Sequence, residues 1–106
     1  LAGWAEERGI GLAPRDLPHT AHMFYVILET TNQRDSLIQR LREGNIVSVF
    51  HYQPLHSSAV GLRLSSRGQS FHSTDRVAER LLRLPLFPAL EGPAQEKVIR
   101  AVKSFQ

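Results

Sequence analysis

The chain has 106 residues, of which 42% are hydrophobic and 22% are charged, so it can bury one core and does not resemble a disordered segment. It contains no cysteine, which excludes disulfides, thiol catalysis and sulfur-ligated metal sites. The formal net charge of +3 permits an anionic partner, but arginines and acidic residues are interspersed, which favours a solvated surface over a nucleic-acid-binding face.

The sequence also bears on location. It has no apolar run near the roughly 18 residues of a membrane-spanning helix and no basic-then-apolar leader before the first predicted helix. We therefore expect a soluble, cytoplasmic protein with no membrane partner.

The first predicted element is the end of a helix, because residues 1–8 resemble last helical turns followed by Gly9 as a C-cap. Pro14 and Pro18 then indicate a connector. Residues 22–29 are almost continuously apolar, which predicts a central strand buried on both faces.

A helix and a second strand are predicted next. Asn32 is the expected N-cap of the helix and Gly44 its C-cap, and apolar residues recur between them at helical spacing. Residues 46–52 are β-branched and aromatic, as in a strand. Residues 53–72 lose all periodicity and are rich in serine and glycine, which indicates a long loop.

The C-terminal third predicts two helices around a short extended segment. Ser73 or Thr74 would cap the first, and its apolar positions are Val77, Ala78, Leu81 and Leu82. Residues 84–90 are proline-rich, which suits a short edge strand or an extended segment. Pro93 opens the last helix, whose buried face would be Val98, Ile99, Val102 and Phe105. This order predicts an α+β fold, a two-layer small domain with a mainly antiparallel sheet of about three strands and helices packed on one face.

The candidate functional residues are concentrated where the second predicted strand enters the loop. His51, Tyr52, Gln53 and His56 follow one another there, and strand ends often aim polar groups at a ligand. A surface turn with two exposed histidines is the plainer alternative. Zinc binding by His51 and His56 is a weaker hypothesis, since a zinc site needs three or four ligands. No nucleophile-elbow serine or glycine-rich phosphate loop is present.

The lysines are unevenly distributed. Of thirteen basic residues eleven are arginine, and the two lysines are Lys97 and Lys103. Both fall on the expected outer side of the last helix. Neither is placed as the buried nucleophile that Schiff-base chemistry requires.

Three segments in the same order, residues 20–26, 49–56 and 79–88, resemble the C-terminal small domain of the DegT/DnrJ/EryC1/StrS sugar aminotransferases, especially the dTDP-4-amino-4,6-dideoxyhexose transaminases. The resemblance implies a homodimeric, fold-type I enzyme that uses pyridoxal phosphate to move an amino group from glutamate to a keto-deoxysugar nucleotide for surface polysaccharide or lipopolysaccharide biosynthesis. It also implies that residues 1–19 are a helix end plus connector, that residues 20–106 are the small domain, and that the large N-terminal domain is absent.

The same resemblance suggests which residues act. Tyr52 and His56 are the expected sugar-nucleotide contacts, with His51 and Gln53 behind them. No catalytic, cofactor-binding or metal residue is expected in this chain, so by itself it would be inactive and bind no cofactor. His19 is expected in a loop and His22 as a structural residue, and any role of Arg63 or Arg67 is open. The rival hypothesis is a stand-alone α+β module that binds nucleic acid or another anion. A third possibility is that the domain serves only in dimerisation and as a scaffold.

Overall fold

The computed structural model describes residues 1–14, 16, 18, 20, 22–64 and 71–105. The predictions for His19, for Arg67 and for the serines and glycine of residues 65–70 lie outside these residues. The elements in chain order are α1 (Ala2–Glu7), β1 (Gly11–Leu12), β2 (Phe24–Ile27), α2 (Thr31–Glu43), β3 (Val49–Phe50), a 3-10 turn (Leu55–Ser57), α3 (Ala59–Leu64), α4 (His72–Ala78), β4 (Leu81–Leu84) and α5 (Gly92–Lys103).

The strands form one antiparallel sheet in the order β1-β2-β4-β3. The predicted α+β architecture with an antiparallel sheet is confirmed, although the described residues form four strands where about three were expected. The additional strand is β1, which lies in the predicted connector. Its two residues pair with Ile27 and Val26, and so short a strand has no sequence periodicity to reveal it.

The core lies on one face of the sheet, as predicted. Val26 and Leu82 are fully buried cross-strand partners on that face. Helices α1, α2 and α5 cover them with Trp4 and Ala5, Leu37 and Leu41, and Val98 and Val102. The prediction that β2 is buried on both faces is wrong, because Tyr25 and Ile27 on the opposite face are only half-buried.

Strand β4 contradicts the prediction for its segment. Leu81 and Leu82 were assigned to a helix, but the helix ends at Ala78 and both leucines pair with β2. Adjacent leucines fit either a helix or a doubly buried strand, so only the pairing decides between them. For residues 84–90, where an edge strand and an extended segment were the alternatives, the edge strand is wrong. Leu84 ends a central strand, and the next residue, Pro85, has no backbone N–H to donate to a neighbouring strand.

The second predicted strand is much shorter than expected. Only Val49 and Phe50 pair with β4, at the edge of the sheet, and both are exposed. Ile46 instead turns into the core while Val47 is 80% exposed. The predicted long loop is wrong for residues 55–64, which form the 3-10 turn and α3.

Two helix starts were also misplaced. Thr30, and not Asn32, caps α2: its hydroxyl accepts from the backbone N–H of Gln33, whose side chain accepts in return from the backbone N–H of Thr30. Helix α4 begins at His72 without a side-chain cap from Ser73 or Thr74. The C-cap at Gly44 and the proline in the first turn of α5 are confirmed.

None of the helices among the described residues has the length and apolar character needed to cross a membrane.

Candidate functional site

The candidate site is built around residues 51–58, which leave β3 at the sheet edge and which we call the 51–58 loop. Local hydrogen bonds shape this loop. The Gln53 side-chain amide donates to the carbonyl of Ser57 at 2.9 Å, the Ser57 hydroxyl to the carbonyl of Pro54 at 3.1 Å and the Ser58 hydroxyl to the carbonyl of Leu55 at 2.8 Å. These bonds close the 3-10 turn without help from the core.

Gly61 lets α3 pack directly on this turn. A Cβ at position 61 would lie 1.7 Å from the carbonyl oxygen of Leu55 and 2.7 Å from its carbonyl carbon. No side chain fits at such a backbone-to-backbone approach, so glycine is required here for space. The Gly61 N–H also donates to the Ser58 hydroxyl at 3.0 Å, which joins the helix to the 51–58 loop.

His56 connects the 51–58 loop to α4. Its Nε2 lies 2.7 Å from Oδ1 of Asp75, and its ring lies beside that of Phe71 with centroids 4.6 Å apart. The histidine side chain is 22% exposed and that of Asp75 is 43% exposed. Asp75 therefore holds one edge of the His56 ring, and Phe71 packs against the ring itself. These two residues lie 19 and 15 positions later in the chain.

Tyr52 is an accessible member of the predicted substrate contacts, with 76% of its surface exposed. The guanidinium carbon of Arg83 lies 5.9 Å from the centre of its ring, and the His51 ring lies 5.3 Å from it at a tilt of 56°. His51 is half-buried, and its Nδ1 has no hydrogen-bond partner among the described residues. The site thus presents a phenol beside a cation.

An open hollow of about 520 Å³ joins the 51–58 loop to α4. Its lining residues come from residues 51–55 on one side and from Ser73, Thr74, Val77, Ala78 and Leu81 on the other. The structure brings His51, Tyr52 and Gln53 together at this hollow. It places His56 next to the hollow but not in its lining, because the imidazole turns toward Asp75.

Sequence reasoning missed three participants. Asp75, Phe71 and Arg83 were not singled out as candidate site residues. An adjacent His51-Tyr52 pair is visible in the sequence, whereas no local pattern indicates that Asp75 or Phe71 reaches His56.

A larger hollow of about 610 Å³ lies elsewhere, between the segment before β3 and α5. It is mostly apolar, and Lys97 is among its lining residues. Lys97 and Lys103 are both exposed on α5, as predicted. In the described part of the chain, no three His, Cys, Asp or Glu side chains cluster as metal ligands.

Comparisons with known proteins agree with one another. The model of the DegT/DnrJ/EryC1/StrS aminotransferase family matches residues 1–103. The dTDP-3-amino-3,4,6-trideoxy-alpha-D-glucose transaminase of Micromonospora megalomicea subsp. nigra is 33% identical over 105 residues, which are 97% of this chain and 28% of that protein.

Solved structures show the same similarity. The structure of Streptomyces venezuelae DesV in complex with a ketimine intermediate is 31% identical, with a TM-score of 0.76 over 96% of this chain and 29% of that one. The aminotransferase TlmJ of Streptoalloteichus hindustanus, at 24% identity, shares the fold with a TM-score of 0.75 over 97% of this chain and 30% of its own. The chain thus spans less than a third of the length of each of these relatives.

Proposed function

The chain belongs to the DegT/DnrJ/EryC1/StrS aminotransferase family, and we propose that it is the C-terminal small domain of a sugar-nucleotide aminotransferase. The observation that carries this proposal is the family match over residues 1–103 together with relatives that are more than three times longer. In this proposal residues 20–106 form the small domain, and residues 1–19 lead into it.

The proposed reaction transfers an amino group from glutamate to a keto-deoxysugar nucleotide, in a homodimeric enzyme of surface polysaccharide or lipopolysaccharide biosynthesis. Pyridoxal phosphate would supply the chemistry that carries the amino group. The residues of this chain do not fit the covalent site of that cofactor. Its two lysines are exposed on α5, whereas a Schiff-base lysine is held desolvated in a buried pocket. We therefore place the cofactor site in the remainder of the proposed enzyme.

The proposed role of this chain is to bind the sugar nucleotide. The Tyr52 hydroxyl is exposed and can donate to a sugar hydroxyl or a phosphate oxygen, and the nearby Arg83 guanidinium adds a positive charge suited to a diphosphate. His56 would form the second contact. Gln53 supports them: one N–H of its side-chain amide is donated to Ser57, which leaves the other N–H and the oxygen for a ligand. The half-buried His51 lies behind Tyr52.

The absence of a cofactor lysine can be tested on the chain itself. We expect that incubation with pyridoxal phosphate, reduction with borohydride and peptide mass mapping will find no specific modification of Lys97 or Lys103 beyond that of exposed lysines in an unrelated protein. The physical reason is that both side chains are exposed on α5 and lack the buried surroundings that activate a nucleophilic lysine. Stoichiometric labelling of either lysine would show that the chain carries its own cofactor site.

The substrate contact can be tested with Tyr52→Phe in the full-length aminotransferase. Loss of one hydrogen bond should raise KM for the sugar nucleotide roughly three- to tenfold while kcat changes little. Tyr25→Phe is the matched control, because it removes the same hydroxyl from β2, away from the hollow. If the two variants have the same KM, Tyr52 is not a substrate contact.

A further inference from the structure

We propose that Asp75 is a positioning residue that fixes the imidazole of His56, so that Nδ1 is the atom His56 presents to a hydroxyl group of the sugar nucleotide. This inference rests on the proposed function, in which His56 contacts that substrate. It adds a residue from α4 to the site and specifies the kind of substrate group that His56 recognises.

The geometry restrains the ring from two directions. Asp75 Oδ1 lies 2.7 Å from Nε2, and Phe71 packs beside the ring at 4.6 Å between centroids. Turning the ring over would exchange Nε2 for a carbon and lose the bond to Asp75. The partial burial of His56, at 22% exposure, keeps water from replacing this bond freely.

The chemistry of the carboxylate determines which nitrogen bears the proton. An ionised carboxylate has only acceptor atoms, so Nε2 must carry the hydrogen that it donates to Asp75. In a neutral imidazole the other nitrogen, Nδ1, then has a lone pair and accepts. The side-chain hydrogen bond that His56 makes to the described residues runs through Nε2, and none runs through Nδ1. A sugar hydroxyl can donate to this atom, whereas a phosphate oxygen, which only accepts, cannot bind it while the ring is neutral.

Asp75 is available for this role because it has no other ion-pair partner among the described residues. It lies in α4, whose residues line the hollow opposite Tyr52. The pair therefore places the histidine of the 51–58 loop next to the surface where the substrate is proposed to lie.

The tautomer can be measured by ¹⁵N NMR on the full chain labelled at histidine, at a pH at which the nitrogen shifts show a neutral ring. We expect His56 to have a protonated Nε2 and an unprotonated Nδ1. In Asp75→Asn the shifts should move toward the average of the two tautomers, because an amide can either accept or donate. Glu79→Gln is the matched control, since it removes the same charge at the end of the same helix without contacting His56. It should leave the shifts unchanged.

The inference would be overturned if His56 in the wild type carried its proton on Nδ1 or showed averaged tautomers. This measurement is made on the wild type, so it does not depend on whether a variant folds. In the full-length aminotransferase, Asp75→Asn should raise KM for the sugar nucleotide roughly three- to tenfold with kcat nearly constant. An unchanged KM would also overturn it. If the tautomer is as expected but no sugar nucleotide is used by wild type, the proposed function fails and the ring geometry stands.

Discussion

Replacing Gly61 with alanine is expected to separate α3 from the 3-10 turn and to displace His56. The added Cβ would lie 1.7 Å from the carbonyl oxygen of Leu55. Because backbone atoms face each other there, no side-chain rotation relieves the clash and the turn must move. A shift of about 1 Å in substrate-positioning groups can reduce kcat/KM roughly 100-fold, and we expect a loss of that order in the full-length aminotransferase.

The same variant should leave the global stability of the chain almost unchanged. Of the described residues 55–64 none is buried, so the 3-10 turn and α3 contribute little to the free energy of unfolding. Hydrogen exchange of the amides near Ser57 and Ser58 should accelerate while that of β4 stays slow. Gly3→Ala is the matched control: its Cβ would meet nothing within 4 Å, and alanine there should stabilise α1 slightly. If Gly61→Ala had the same amide exchange rates and the same kcat/KM as the wild type, the expected clash would be contradicted.

Replacing Leu82 with alanine should have the largest effect on stability. Leu82 is fully buried in the central strand β4, opposite Val26 on one side and Phe50 on the other. Truncating such a leucine removes its transfer free energy and leaves a cavity, which together lower the free energy of unfolding by about 3–5 kcal/mol. Domains of this kind are stable by only about 5–15 kcal/mol, so the variant should be close to unfolding at 37 °C.

Urea unfolding followed by circular dichroism measures this loss. Leu64→Ala, at a leucine that is 80% exposed, removes the same atoms and should change the free energy of unfolding by less than about 0.5 kcal/mol. If the two variants unfolded at the same urea concentration, the central position of β4 in the core would be wrong.

The sequence could indicate the 51–58 loop because its candidate side chains lie within six residues of one another. His51 and Tyr52 end a β-branched segment, and Pro54 forces an extended path, so both features are local. The partners of these side chains could not be predicted in the same way. Asp75 and Phe71 reach His56 only because α4 folds back beside the loop, and nothing in the residues around 71–75 encodes that path.

The family resemblance was visible in three separated segments, and the comparisons confirm it. The lysine distribution was equally visible, since residue counts need no structure. The active-site roles of Tyr52, His56, His51 and Gln53 remain predictions, because their ligand would be contacted by groups that lie in the rest of the proposed enzyme.

By itself the sequence determined the class of the fold, the amphipathic helices α2 and α5 and the location of the candidate loop. These properties follow from periodicity and composition, which are local. Only the tertiary structure decided that residues 81–84 form a central strand, that Gly61 touches the backbone of Leu55, and that Asp75 binds His56. The physical reason is that pairing and packing between distant residues depend on the path of the whole chain, and a leucine doublet, a glycine or an aspartate is compatible with several such paths.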